Sequence, residues 1–305
     1  MSVGRTVRLF LVDGSPTGIL TAEIMNWTGH ILVAPRSSLA EALKRPEASR
    51  TGVYFLTGED ANQPHLPRVY VGEGDSVIDR LKSHAKDTTK DFWTHACIVT
   101  SKDANLTKAH VRYLENRLVE MLKDTGRATI ANGNEPASKQ LPESDVADME
   151  YFLAQLQTAL PVVGLDFLRP KPSTLPPPPA LLGQTSQAAA IALVLDSKKN
   201  GVIAKGVEYD GEITVFAGST ATLKEFSSNS YAERRRELLV SGHLVPLTSS
   251  DCLTLVIDTT FRSPSEAAAV LLNRNSNGRV EWKIESSGQT LKDWQDAQLE
   301  AVSSQ

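Results

Sequence analysis

Two short apolar runs, Gly52-Val53-Tyr54-Phe55-Leu56 and Arg68-Val69-Tyr70-Val71-Gly72, flank a polar stretch containing Asn62, Pro64 and Pro67. β-forming runs around a turn-rich loop predict a β-hairpin with a tyrosine in each strand. Upstream, residues 5–12 and 31–34 read as strands, with a turn at 13–18 and Pro35 ending the second. Ser38 with Glu41 forms a capping-box pattern for a short helix to about Arg45. Downstream, Ser76-Val77-Ile78-Asp79 opens a helix whose Ile78, Leu81 and Ala85 form an apolar stripe. Arg80 and His84, four apart, share another face of it. Residues 92–100 predict a buried strand. Thr107 then caps a helix to about Lys123, with a stripe of Val111, Leu114, Leu118, Met121 and Leu122. Residues 131–136 predict a tight loop, and 143–160 an amphipathic helix.

The pattern changes after residue 168. A proline-rich run at 170–179 predicts an extended linker. Beyond it, strands at 191–195, 202–206 and 213–216 predict a small antiparallel sheet. Helices follow, one after a Ser230 cap and one over 265–273 behind Ser263-Pro264-Ser265-Glu266. After a turn at 275–278, residues 280–284 read as a strand, and Thr290 caps a last helix. The expected fold class is α+β. Its parts are a β-rich prelude at 1–48 packing on a domain at 49–168, a linker at 169–184, and a second small α+β domain at 185–305.

Length and composition agree with two domains: 305 residues, 41% hydrophobic and 22% charged. No apolar run is long enough for a membrane span, the N-terminus lacks a signal-peptide profile, and the expected location is cytoplasmic. Cys97 and Cys252 read as buried thiols in a reducing compartment. A net charge of −4 does not advertise nucleic-acid binding, although only a surface facing phosphates needs to be positive.

One position departs from the apolar pattern. Glu115 falls inside its helix's core stripe, between Val111 and Val119. A carboxylate there needs a cationic partner: a divalent metal, or a buried salt bridge to Arg80 or Arg112. Arg80 and His84 fit either a solvated face or a phosphate site. His95 reads as structural.

Gly52-Val53-Tyr54 followed by Tyr70-Val71-Gly72 resembles the tripeptide pair of the GIY-YIG nucleases, with Val for Ile in both. Arg80 and His84 on the next helix, Glu115 on a later one and Asn132 beyond it match the rest of that family's set. The resemblance implies a small central antiparallel sheet flanked by helices and a metal-dependent endonuclease. DNA is favoured over RNA as substrate. It further implies Mg²⁺ (or Mn²⁺) on Glu115, Arg80 at the phosphate, and Tyr54 as general base; a phenol is a poor base unless its pKa is depressed, so Tyr54 would need a nearby cation or a water relay. Tyr70 and His84 would position water, Gly72 would turn the chain so that Tyr70 faces the cleft, and Asn132 would touch phosphate or hold its loop. Asn134 is the alternative to Asn132, and both also suit a turn. The order Phe261-Arg262-Ser263-Pro264-Ser265, Asn277-Gly278, Trp282-Lys283 and Thr290-Leu291 is similar to a C-terminal domain of unknown function that often accompanies these nucleases in bacterial proteins. The alternative function is a catalytically weak nucleic-acid-binding module. The C-terminal domain would recruit a protein partner, or bind nucleic acid through Arg234, Arg235 and Arg236, which read equally as solvated surface.

Overall fold

The computed structural model describes residues 4–63, 66–87, 90–103, 105–133, 141–170, 190–224, 229–247 and 252–303. Pro64, Asn134 and nearly all of the proline-rich linker lie outside these. The chain is α+β and divides into two compact units, one within residues 4–170 and one within residues 171–305. Among the described residues, no helix is long and apolar enough to cross a membrane.

The first unit runs β1 (Val7–Leu11), β2 (Leu20–Ile24), β3 (Gly29–Pro35), α1 (Leu39–Ala42), β4 (Gly52–Glu59), β5 (Pro67–Gly74), α2 (Val77–Lys86), β6 (Trp93–Ser101), α3 (Lys108–Thr125), β7 (Thr129–Ile130) and α4 (Glu143–Ala159). Its seven strands form one sheet in the order β1-β2-β3-β6-β4-β5-β7. The segment read as a prelude therefore supplies three strands, and β3 pairs with β6 along its whole length. Six strands are antiparallel to their neighbours, but β7 joins β5 in parallel.

Alternation decides the two faces of β4. Val53 and Phe55 join Val69, Val71 and the stripes of α3 and α4 in one core. Tyr54 and Leu56 join Val77 and Leu81 of α2 in another. The capping boxes expected at Ser38 and Ser76 do not form, since neither side chain caps its helix. At Ser76 the entry is held by tertiary pairing, with the Val77 amide donating to the Arg50 carbonyl (3.3 Å). Thr107 does cap α3, reciprocally with His110.

The second unit contains β8 (Ile191–Ser197), β9 (Val202–Tyr209), β10 (Glu212–Val215), β11 (Thr220–Thr222), α5 (Ala232–Val240), β12 (Leu244–Pro246), β13 (Cys252–Leu255), β14 (Thr259–Phe261), α6 (Pro264–Leu272), α7 (Gly278–Glu281), β15 (Lys283–Ile284) and α8 (Leu291–Ser303). Five strands make one sheet and three another. Residues 280–284, expected as a strand, begin as the helix α7. The Asn277 side chain caps it, and the Trp282 indole donates to the Pro264 carbonyl (3.0 Å). Gly278 lies so close to Pro264 that a Cβ would sit 2.1 Å from the Pro264 carbonyl carbon. Ser230 does not cap α5. Tyr231 is its N-cap, and the Ser230 amide donates to Asn275.

The three arginines of α5 do not form one face. Arg234 pairs with Glu237 and Arg236 with Glu233, each a turn away. Arg235 is buried and donates to the carbonyls of Val270 and Thr222, tying α5 to α6 and β11. Arg235→Met should destabilise this unit by about 2–3 kcal/mol, because both carbonyls lose a charged donor out of reach of water. Urea unfolding of the full chain reads this. An unchanged transition would mean that Arg235 is solvated.

Candidate active site

The hairpin register sets the site. Tyr54 pairs with Gly72 and Leu56 with Tyr70, so both tyrosines face α2. Tyr54 is fully buried, and its ring lies over Gly72: a Cβ there would meet the hydroxyl oxygen at 2.3 Å. Gly72 thus makes room for a cross-strand ring. The expected sharp turn is absent, since Gly72 pairs inside β5 and the strand continues to Gly74. Gly74 does the same for α2, where a Cβ would lie 2.8 Å from Cγ of Arg80.

His84, one turn beyond Arg80, is also buried. Its Nε2 lies 2.8 Å from the Tyr54 hydroxyl, and its ring is edge-on to Tyr70, centroids 5.1 Å apart. Burial, then the charges of Lys90 and Arg80, pull its pKa down to about 4. At neutral pH the imidazole is therefore uncharged and can accept a proton. The Tyr54 phenol moves the other way. Burial raises it well above the usual range, and nearby Tyr70 adds to this against the opposing charge of Arg80. The expectation of a depressed phenol pKa is corrected: desolvation outweighs the cation. His84 is the uncharged partner of the Tyr54 hydroxyl, and which of the two donates is set by the imidazole tautomer.

On the α3 side of the sheet, Glu115 sits half-buried beside the apolar stripe. The alternative of a salt bridge to Arg80 or Arg112 is not realised. Arg112 and Lys108 approach Glu73 instead (3.8 and 2.6 Å), and among the described residues no cation lies within 4 Å of Glu115. Burial, then the charge of Glu73, raises the Glu115 carboxyl to about 7. Arg80 opposes this rise while also acting on Tyr54, so its charge reaches groups on both faces of β5.

β7 pairs with β5 only at Arg68 and Val69. Asn132 closes the next step. Its Oδ1 accepts from the Val71 amide (3.0 Å) and its Nδ2 donates to the Val71 carbonyl (2.8 Å), continuing the ladder with a side chain. That geometry holds the loop.

A half-buried acid with no ion pair among the described residues, beside a second carboxylate and with Arg80, Lys108 and Arg112 acting on it only from further off, fits a divalent cation. One carboxylate with water completing the shell suits Mg²⁺. Among the described residues no three His, Cys, Asp or Glu side chains form a protein cage.

Sequence reasoning passed over Glu73 and Lys90. Strand alternation was a usable signal for Glu73, since the residue after Gly72 must face α3. Lys90 carried none, because the chain path after α2 puts its Nζ 4.1 Å from the Tyr70 ring centroid. His95, read as structural, is exposed at the start of β6 beside Thr94. Cys97 and Cys252 are free and buried.

Residues 193–295 match a domain of unknown function, DUF4357, so the second unit carries that domain. No curated protein and no solved structure matches the chain.

Proposed function

We propose that the first unit is a metal-dependent endonuclease of the GIY-YIG kind, acting on nucleic acid, with DNA favoured over RNA. The observation that carries the reading is one cluster around the edge of β5: Tyr54 bonded to a neutral His84, Tyr70 and Arg80 beside them, and an unpaired Glu115 reached by the same arginine. Arg80 would engage non-bridging phosphate oxygens with its planar fork. With the imidazole proton on Nδ1, a water reaching the Tyr54 hydroxyl would pass its proton to the phenol oxygen as the phenol proton moves to Nε2 of His84. Arg80 favours any negative charge at that oxygen. Tyr70 would fix the water's position. Glu115 would hold Mg²⁺ or Mn²⁺, which when bound supplies Lewis-acid stabilisation of the leaving 3′ oxygen. Asn132 acts indirectly, by keeping the loop on Val71.

Cleavage of supercoiled plasmid and of a labelled single strand, with Mg²⁺, Mn²⁺ or chelator, tests this. Wild type should cut only with metal and Glu115→Ala should not. Equal activity in both proteins would sink the assignment. The buried, proton-retaining Tyr54 favours a second reading, a binding module of weak turnover. It requires binding that Glu115→Ala leaves unchanged and no metal-dependent cut at any protein concentration. The DUF4357 unit would then serve as a recruiting domain for a protein partner in either case.

A further inference from the structure

Among the described residues, three cations of the first unit lie over aromatic rings: Arg36 on Trp93 (4.5 Å to the centroid), Arg68 on Phe92 (4.8 Å) and Lys90 on Tyr70 (4.1 Å). All three rings pack with the core on the tyrosine side of the sheet. Arg36 is neutralised, since it pairs with Asp91 at 2.6 Å and donates to the Trp93 carbonyl. Arg68 and Lys90 are not. Among the described residues neither has a carboxylate within ion-pair distance. Asp60, the acid that feels the charge of Arg68, is already bonded to Thr129 and to the amides of Asn62 and Gln63.

A ring holds a cation in place without cancelling its charge or occupying its N–H donors. Both residues are partly exposed, so water and ligands can reach them. Arg68 precedes Tyr70 by two residues and so shares its face, about 7 Å further along the strand. The two cations therefore continue outward from the Tyr70–His84 pair. Within a chain of net charge −4, this is a local positive lane leading from the site.

We propose that Arg68 and Lys90, each seated on an aromatic ring, receive backbone phosphates of the nucleic-acid strand next to the phosphate at Arg80. This rests on the nuclease reading and deepens it, adding sequence-independent grip on the flanking strand. Contacts of this kind set affinity and its salt dependence without reading bases.

The test uses the full chain in chelator and a labelled DNA oligonucleotide, single-stranded and duplex, titrated by anisotropy between about 50 and 200 mM salt. Plasmid cleavage with Mg²⁺ is measured in parallel. Arg68→Gln/Lys90→Gln should bind roughly tenfold more weakly at low salt and flatten the slope of log K against log salt by roughly 1.4–1.8, two phosphate contacts. Lys90→Arg should behave as wild type. Should the double variant melt early, Lys90→Gln alone carries the test, with about half that change in slope. Unchanged affinity and slope in the variant, beside a wild type that binds and cleaves, would overturn the lane and leave the nuclease reading standing. A wild type that neither binds nor cleaves nucleic acid would overturn both.

Discussion

Glu115→Gln is expected to reduce metal-dependent cleavage by about a thousandfold or more while making the metal-free protein more stable at alkaline pH. The two effects share a cause. Glu115 ionises near 4.5 when free and near 7 in the folded chain, because burial and Glu73 both oppose its charge. An acid whose folded pKa is raised favours folding when protonated. That advantage is full below about pH 4.5 and is lost as pH rises to about 7. At pH 8 the charge should cost about 1–2 kcal/mol, discounted because the group is partly exposed to water. Gln keeps the shape and removes the charge. The variant should therefore melt higher than wild type at pH 8 and equally at pH 4. Mg²⁺ should raise the melting temperature of wild type at pH 8 and leave the variant unmoved. A variant that melts lower at pH 8 would mean that Glu115 has a cationic protein partner in solution. A wild type insensitive to Mg²⁺ and Mn²⁺ would remove the metal from this position.

Gly72→Ala should destabilise the first unit by about 2–3 kcal/mol, near the upper end for overpacking. The new methyl would lie 2.3 Å from the Tyr54 hydroxyl and 2.4 Å from the ring carbon bearing it. The ring has nowhere to retreat, being fully buried with its hydroxyl bonded to His84. Whatever displacement relieves the clash also breaks that bond, so cleavage should fall by about a hundredfold even where the fold survives. Gly133→Ala is the matched control, since nothing lies within 4 Å of a Cβ there, and its stability should stay within about 0.5 kcal/mol of wild type. Equal melting of the two variants would refute the packing argument.

The local elements of the first unit were legible because each has its own period. Apolar runs of β-formers around Asn62 and Pro67 announced β4 and β5, and 3.6-residue stripes announced α3 and α4. In α2 the buried face is Val77, Leu81 and His84 rather than the expected Ile78, Leu81 and Ala85, because docking on the tyrosine side of the sheet turns His84 inward and leaves Ala85 and Arg80 exposed. Failures came where a distant segment took over a local role. Ser76 matches a cap by composition, yet the entry to α2 hangs on the carbonyl of Arg50. Residues 280–284 alternate like a strand, yet Asn277 and the fit of Gly278 against Pro264 start a helix there.

The same division runs through the site. Sequence alone determined which chemical groups stand on which element, and that Glu115 borders an apolar stripe, because a helix or strand fixes direction with every residue. Tertiary structure alone decided what those groups meet. Strand register put Gly72 under the Tyr54 ring, helix docking put His84 on the Tyr54 hydroxyl, and Lys108 and Arg112 pair with Glu73 rather than with Glu115. Proton affinities follow from those encounters. Burial and neighbouring charge act through space, so residues far apart in the chain hold the phenol up, the imidazole down and the carboxyl near neutrality.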